Sequence, residues 1–239
     1  MEKKLFYIGV DEAGRGPIIG DMVVAGVLVH EEVIEKLVGE GLTDSKKMSS
    51  TGRGRLYWMA LSSGVVSVAI YIPPWRIDRE NINDVEERVI GEIFRILGVI
   101  SRINGLKQVV VIVDEVKGRD KRIRAWAEEV LKSILHGFIM EKKADAKYPP
   151  VSLASVVAKV SRDTSLMALR RFVGGFGSGY PIDPETKNWI LQIYSQGLSP
   201  PLFLRRTWGN LKNLAPSWYI IKKKRKSGQK SILDYAKGR

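Results

Sequence analysis

Apolar and polar positions divide the chain into strand-like and helix-like stretches. Residues 5–10 (Leu-Phe-Tyr-Ile-Gly-Val) and 22–29 (Met-Val-Val-Ala-Gly-Val-Leu-Val) are apolar runs of strand length. Between them, residues 13–20 carry three glycines and a proline. So short a connection predicts an antiparallel hairpin. Residues 31–38 read as a short helix, 43–47 as a polar loop and 50–62 as a second helix. A third strand at 65–72 ends at Pro73-Pro74. Over 82–101 the apolar positions Val85, Val89, Ile93, Ile96 and Leu97 have helical spacing. The β-branched run 108–113, closed by Asp114, reads as a strand buried on both faces. A helix at 122–135, a fifth strand at 139–143 and a long helix at 151–172 behind Pro149-Pro150 follow. After a glycine-rich loop at 174–179, residues 184–195 read as helical, whereas 199–218 carry no assignable period. The order β-β-β-α-β-α-β followed by helices predicts an α/β fold: a five-stranded mixed sheet flanked by helices, with a helical C-terminal part.

Composition narrows the chemistry. There is no cysteine, which excludes a disulfide scaffold, a thiolate metal site and a cysteine nucleophile. His30 and His136 are the only histidines, so a metal would sit on carboxylate oxygens. No apolar run reaches the roughly 18 residues of a membrane span. The N-terminus reaches Asp11 and Glu12 too soon for a signal-peptide core, so the chain is read as intracellular and cytoplasmic. The net charge of +13 favours a polyanionic partner. It is uneven: residues 222–239 hold eight Lys/Arg against one Asp and read as a flexible basic tail.

The acids fall at the ends of the expected strands. Asp11 and Glu12 close the first, Asp114 and Glu115 the fourth, and Asp145 follows the fifth. Ligand sites in open α/β sheets collect at the carboxyl ends of strands. If the first and fourth strands are parallel neighbours, Asp11 and Asp114 lie side by side. Crowded carboxylates repel unless cations neutralise them, and oxygen ligands suit Mg²⁺ or Mn²⁺. Two such ions roughly 4 Å apart suit in-line attack on a phosphodiester. The alternative is that each Asp only caps a turn. Adjacent Asp11 and Glu12 also point to opposite faces of a regular strand, so both enter one site only if the strand bends or ends there.

Gly14-Arg15-Gly16 follows these acids and can cradle a phosphate or sugar, or form only a tight turn. Asp44-Ser45-Lys46-Lys47 offers two cations. Ser152, Ser155 and Lys159 share a helical face that can meet phosphate, or serve close helix packing. Tyr180, in Gly177-Ser178-Gly179-Tyr180-Pro181, can stack on a base or sugar, or fill a core edge.

In order, the blocks Asp11-Glu12-Ala13-Gly14-Arg15-Gly16-Pro17, Asp44-Ser45-Lys46-Lys47, Val113-Asp114, Lys143-Ala144-Asp145-Ala146-Lys147-Tyr148-Pro149, residues 154–163 and Gly177-Ser178-Gly179-Tyr180-Pro181 resemble the type 2 ribonuclease H (ribonuclease HII) family in its archaeal form. The resemblance covers residues 5–210. It implies a ribonuclease H-like fold, cleavage of the RNA strand of RNA–DNA hybrids, incision 5′ to single ribonucleotides in duplex DNA, and products with 3′-hydroxyl and 5′-phosphate ends. It implies Asp11, Glu12, Asp114 and Asp145 as catalytic carboxylates holding two Mg²⁺ or Mn²⁺ ions, Asp11 bridging both, and leaves Asp163 a structural role. It implies Gly14, Arg15 and Gly16 as the reader of the ribose 2′-hydroxyl, Tyr180 as the sensor of the adjoining deoxyribose, and Lys46 as a phosphate contact. Pro150 departs from the aliphatic residue expected there. The implied organisation is a catalytic domain over 1–172, a C-terminal helical part over 173–219 that completes the substrate groove, and a tail over 220–239.

In that tail, residues 229–236 resemble the peptide that docks on the sliding clamp, with Gln229, Ile232 and Tyr235 as its anchors. Ala236 replaces the second aromatic, which weakens the match. The expected assembly is a monomer without membrane contact. Two other readings stand beside this one. A resolvase-type DNA nuclease shares the acids without a 2′-hydroxyl requirement, and a non-catalytic binding module has no use for clustered carboxylates.

Overall fold

The computed structural model describes residues 5–42 and 48–222. Its single sheet contains β1 (Phe6–Ala13), β2 (Met22–His30), β3 (Val66–Ile72), β4 (Val109–Asp114) and β5 (Leu135–Glu141), in the order β3-β2-β1-β4-β5. β1, β2 and β3 pair antiparallel, while β4 runs parallel to β1 and β5 parallel to β4. This is the expected mixed sheet, with β1 and β4 as parallel neighbours. Around it lie α1 (Glu31–Gly39), α2 (Ser50–Ser62), α3 (Pro74–Arg79), α4 (Ile82–Ile103), α5 (Asp120–Leu131), α6 (Ala144–Lys147), α7 (Pro149–Val173), α8 (Pro184–Ser195) and α9 (Leu211–Leu214). No helix among the described residues is long and apolar enough to cross a membrane.

Strand alternation builds a core on each face of the sheet. Ile8 and Val10 of β1 join Val111 and Val113 of β4 under Val89, Ile93 and Phe94 of α4. On the other face, Val23, Ala25 and Val27 of β2 meet Leu153, Ala154 and Val157 of α7. α7 lies very close to β1, because a Cβ at Gly9 would overlap the backbone carbonyl of Pro150. Glycine there lets the first turns of α7 rest on the strand that carries Asp11 and Glu12. Pro150 is buried within the first turn of α7, where a missing N–H costs nothing.

A third cluster joins Ile18 and Ile19 to Leu166, Phe176, Trp189, Leu204 and Trp218. The stretch without a sequence period is therefore packed structure. It turns through α9 and a 3₁₀ turn at Pro216–Trp218. The fifth strand starts earlier than its pattern suggests. The preceding helix stops at Leu131, Lys132 takes φ 49°, and a 3₁₀ turn over Lys132–Ile134 leads straight into β5. Ile134 and Leu135 fit a helical or an extended apolar pattern equally, so periodicity does not separate them. Asp145 accordingly sits on α6, after a turn at Lys143, and not directly behind a strand.

Lys46, with its loop, and Gln229, Ile232 and Tyr235 lie outside the described residues.

Candidate active site

The β1–β4 ladder ends at Val10 opposite Val113, and the next residues on the two strands are Asp11 and Asp114. Beyond that pair β1 keeps its partner β2 as far as Ala13 but has none on the β4 side. Strand alternation alone sends Glu12 to the other face. At this open edge it nevertheless converges with its neighbour: Asp11, Glu12 and Asp114 each offer a carboxylate oxygen within 4.8 Å of the others.

Burial, followed by the charge of Glu12, pushes the Asp11 carboxyl well above its ordinary range, against a hydrogen bond from Ser155. Burial also raises Glu12, which Arg15 pulls back. Asp114 is held by the Ala144 N–H, which donates to its Oδ1 at 2.8 Å. Like charges gathered at low dielectric, with oxygen donors only, suit a hard divalent cation. Asp145, adjacent to Ala144 and half-buried, is not one of this triad.

A further acid, absent from the sequence reading, faces the cluster. Glu86 of α4 is 1% exposed. Burial, reinforced by Glu12 and opposed by Arg15, pushes it up to about 8. It accepts from the Arg15 guanidinium, whose other arm donates to Asn83 Oδ1. Its sequence signal was a carboxylate between Ile82 and Ile90, four residues from each, within an apolar helical stripe.

Gly14 takes φ 82°, a conformation that favours glycine, with the Arg162 side chain packed where a Cβ would project. A Cβ on Gly16 would stand 3.4 Å from the Tyr180 ring. Tyr180 is 43% exposed, and its loop is tied to the glycine turn because Ile18 N–H donates to Gly179 O at 2.8 Å. A groove of about 600 Å³ runs from Glu12 past Gly14, Arg15 and Gly16 to Tyr180. Arg53, Lys159, Arg162 and Arg170 line it. Asp163 also lines it and pairs with Arg53 at 3.3 Å.

The serines of α7 serve packing and positioning. Ser152 is buried and donates to Leu42 O at 2.9 Å, while buried Ser155 holds Asp11. Of that helical face, Lys159 lines the groove.

A mixed sheet in this strand order, with acids gathered where its two central strands end beside a basic groove, defines a nuclease of the ribonuclease H-like class. The family model described as ribonuclease HII matches residues 8–211. A ribonuclease HII from Hyperthermus butylicus is 42% identical, over 98% of this chain and 95% of its own length. The crystal structure of ribonuclease H2 from Pyrococcus horikoshii is similar at a TM-score of 0.74 and 32% identity, covering 89% of this chain and 98% of that one. A ribonuclease HII from Archaeoglobus fulgidus, solved in complex with PCNA, is similar at 0.72 and 29% identity, covering 95% of this chain and 99% of that one. The chain belongs to the ribonuclease HII family. It is thus a ribonuclease H, an endoribonuclease of RNA–DNA hybrids, and Asp11, Glu12 and Asp114 are a set able to hold the metal such enzymes need.

Proposed function

We propose that this enzyme also incises duplex DNA 5′ to a single embedded ribonucleotide, leaving 3′-hydroxyl and 5′-phosphate ends. The observation that carries the reading is the placement of Gly14-Arg15-Gly16 in one groove, between the carboxylate triad and Tyr180. A 2′-hydroxyl is the group that separates RNA from DNA at one position, and a backbone loop can read it with its own donors and acceptors. Tyr180, facing Gly16, packs on the deoxyribose that follows. A reader one nucleotide wide has no need of a long hybrid.

Asp11, Glu12, Asp114 and Asp145 would hold two divalent cations, Mg²⁺ or Mn²⁺. When bound, such ions supply a nucleophilic water at neutral pH and stabilise the leaving oxygen. The chain's residues orient the phosphodiester. The cations along the groove fix the flanking phosphates, Lys46 adds another contact, and the ribose-reading loop sets which phosphate meets the triad. No side-chain nucleophile is used. Residues 1–172 form the catalytic domain and 173–219 wall the groove. Residues 229–236 engage a sliding clamp through Gln229, Ile232 and Tyr235, weakly because of Ala236. The PCNA complex of the Archaeoglobus fulgidus relative supports such a partner. The enzyme works as a monomer inside the cell, where ribonucleotides enter DNA.

The test is cut-site mapping on an end-labelled duplex with one ribonucleotide, beside the same duplex in all-DNA form and an RNA–DNA hybrid. Cleavage at the phosphate 5′ to the ribonucleotide, with the all-DNA duplex intact, is expected. Cleavage of the hybrid alone would restrict the enzyme to long RNA tracts. Cutting of the all-DNA duplex would make the loop irrelevant to sugar choice.

A further inference from the structure

Arg205 is a fully buried arginine at the centre of the C-terminal stretch whose sequence shows no period. Its guanidinium makes four hydrogen bonds, all to backbone carbonyls of the glycine-rich turn. Nη2 donates to Gly14 O at 2.6 Å and to Gly20 O at 2.9 Å, Nη1 to Arg15 O at 3.0 Å, and Nε to Gly20 O at 3.1 Å. Trp208 completes the set, its indole Nε1–H donating to Gly16 O at 2.8 Å. The Arg205 guanidinium also lies over the Trp208 ring, 5.0 Å from its centroid. Three consecutive carbonyls, those of Gly14, Arg15 and Gly16, are therefore drawn toward one segment.

Peptide planarity gives this a consequence. In a trans peptide the N–H points opposite to the carbonyl of the preceding residue. With the Gly14 and Arg15 carbonyls held by Arg205, the N–H groups of Arg15 and Gly16 are turned away from it. The third carbonyl is followed by Pro17, which has no N–H. The segment that imposes this is itself fixed. Asp78 of α3 accepts from Arg206 N at 2.9 Å, Thr207 N at 3.0 Å and Thr207 Oγ1 at 2.7 Å, and Arg205 N donates to Ile18 O at 2.8 Å. Glu86 and Asn83 hold the Arg15 side chain from the other side.

We infer that Arg205 and Trp208 are positioning residues for sugar selectivity: by holding the carbonyls of residues 14–16, they preset the face of that loop which meets the ribose 2′-hydroxyl. The inference rests on the ribonucleotide-reading function proposed above. Neither residue lines the groove. They act by removing alternative peptide orientations from the loop before the duplex arrives, so that ordering is not charged against binding.

The experiment compares dissociation constants, by fluorescence anisotropy with Ca²⁺ in place of Mg²⁺, for a duplex carrying one ribonucleotide and the same duplex in all-DNA form. The full-length chain is used with Trp208→Phe, which keeps an aromatic ring and loses the donor, and with Arg205→Lys. In the wild type the ribonucleotide duplex binds more tightly. In Trp208→Phe the ratio of the two constants narrows by about fivefold, the worth of one neutral hydrogen bond, while affinity for the all-DNA duplex stays unchanged. Arg205→Lys narrows it further, and should that protein not fold, Trp208→Phe decides alone. An unchanged ratio in Trp208→Phe, or equal weakening toward both duplexes, would overturn the positioning role and leave Trp208 a packing residue. A wild-type ratio of one would instead overturn the ribonucleotide-reading function itself.

Discussion

Glu86 is a buried carboxyl beside the site whose protonation sets a pH dependence of stability. Its folded value of about 8 lies above the ordinary 4.5 that it regains on unfolding. Between these values the unfolded chain has released a proton that the folded chain keeps. The linkage slope is then negative, and the metal-free protein loses stability as pH climbs from about 4.5 to about 8. Glu86→Gln, which keeps an acceptor for Arg15 and removes the charge, should make that decline shallower in thermal melts taken with EDTA, the remainder coming from buried Asp11 and Glu12. Added Mg²⁺ should raise the melting temperature more at pH 8 than at pH 6, since it binds the charged cluster. A melting temperature independent of pH over that window would contradict this assignment of charge. At this scale the sequence was readable where chemistry sits at a strand end. Asp11 and Asp114 follow from two apolar runs and a parallel pairing, and Gly14 from its turn. Glu86 and Arg205 were not readable. A single carboxylate inside an apolar helical stripe does not say which partner buries with it, and Arg205 sits where no period marks what is buried.

Among the elements, the runs with a clean period of two or 3.6 were legible, and β1, β2, β4, α4 and α7 emerge within a few residues of the pattern. α3 and α6, of six and four residues, are too short to show a period. They are also the elements that carry Asp145 and Asp78, the latter fixing the Arg206–Thr207 segment, so two acids of consequence sit on the least legible pieces. The α7–β1 contact explains how a helix far along the chain reaches the strand that carries Asp11 and Glu12. Gly9→Ala should overpack it, because the obstacle is backbone of α7, where relief needs movement of the whole helix. We expect a loss of about 3 kcal/mol in denaturant unfolding, the upper end of overpacking losses. Activity should fall as well, through the displaced Ser155–Asp11 bond. Wild-type stability and activity in Gly9→Ala would show that α7 does not bear on β1 as described.

For the whole molecule, the excess of 13 positive charges pointed to a polyanion before any site was visible. What the sequence could not show was the gathering of Arg53, Lys159, Arg162 and Arg170 from α2 and α7 into one groove beside the acids. Without cations the same acids repel phosphate, so on the proposed mechanism binding and cleavage divide between groove and cluster. Lys159→Ala should weaken duplex binding alike for ribonucleotide-containing and all-DNA forms. It should also reduce the slope of log affinity against log salt by about one. A sequence-selective or sugar-selective loss would place Lys159 in a different role.

The most direct measurement is a divalent-cation titration of single-ribonucleotide incision by the wild type and by Asp114→Asn. The wild type should be inactive in EDTA and should recover cutting with Mg²⁺ or Mn²⁺, at the ribonucleotide alone. Asp114→Asn should bind the duplex normally and cut about 10²- to 10³-fold more slowly at saturating metal, the loss expected for one preorganised electrostatic group. Incision in EDTA, or an Asp114→Asn enzyme that cuts at the wild-type rate, would contradict a carboxylate-held metal centre at the end of β1 and β4.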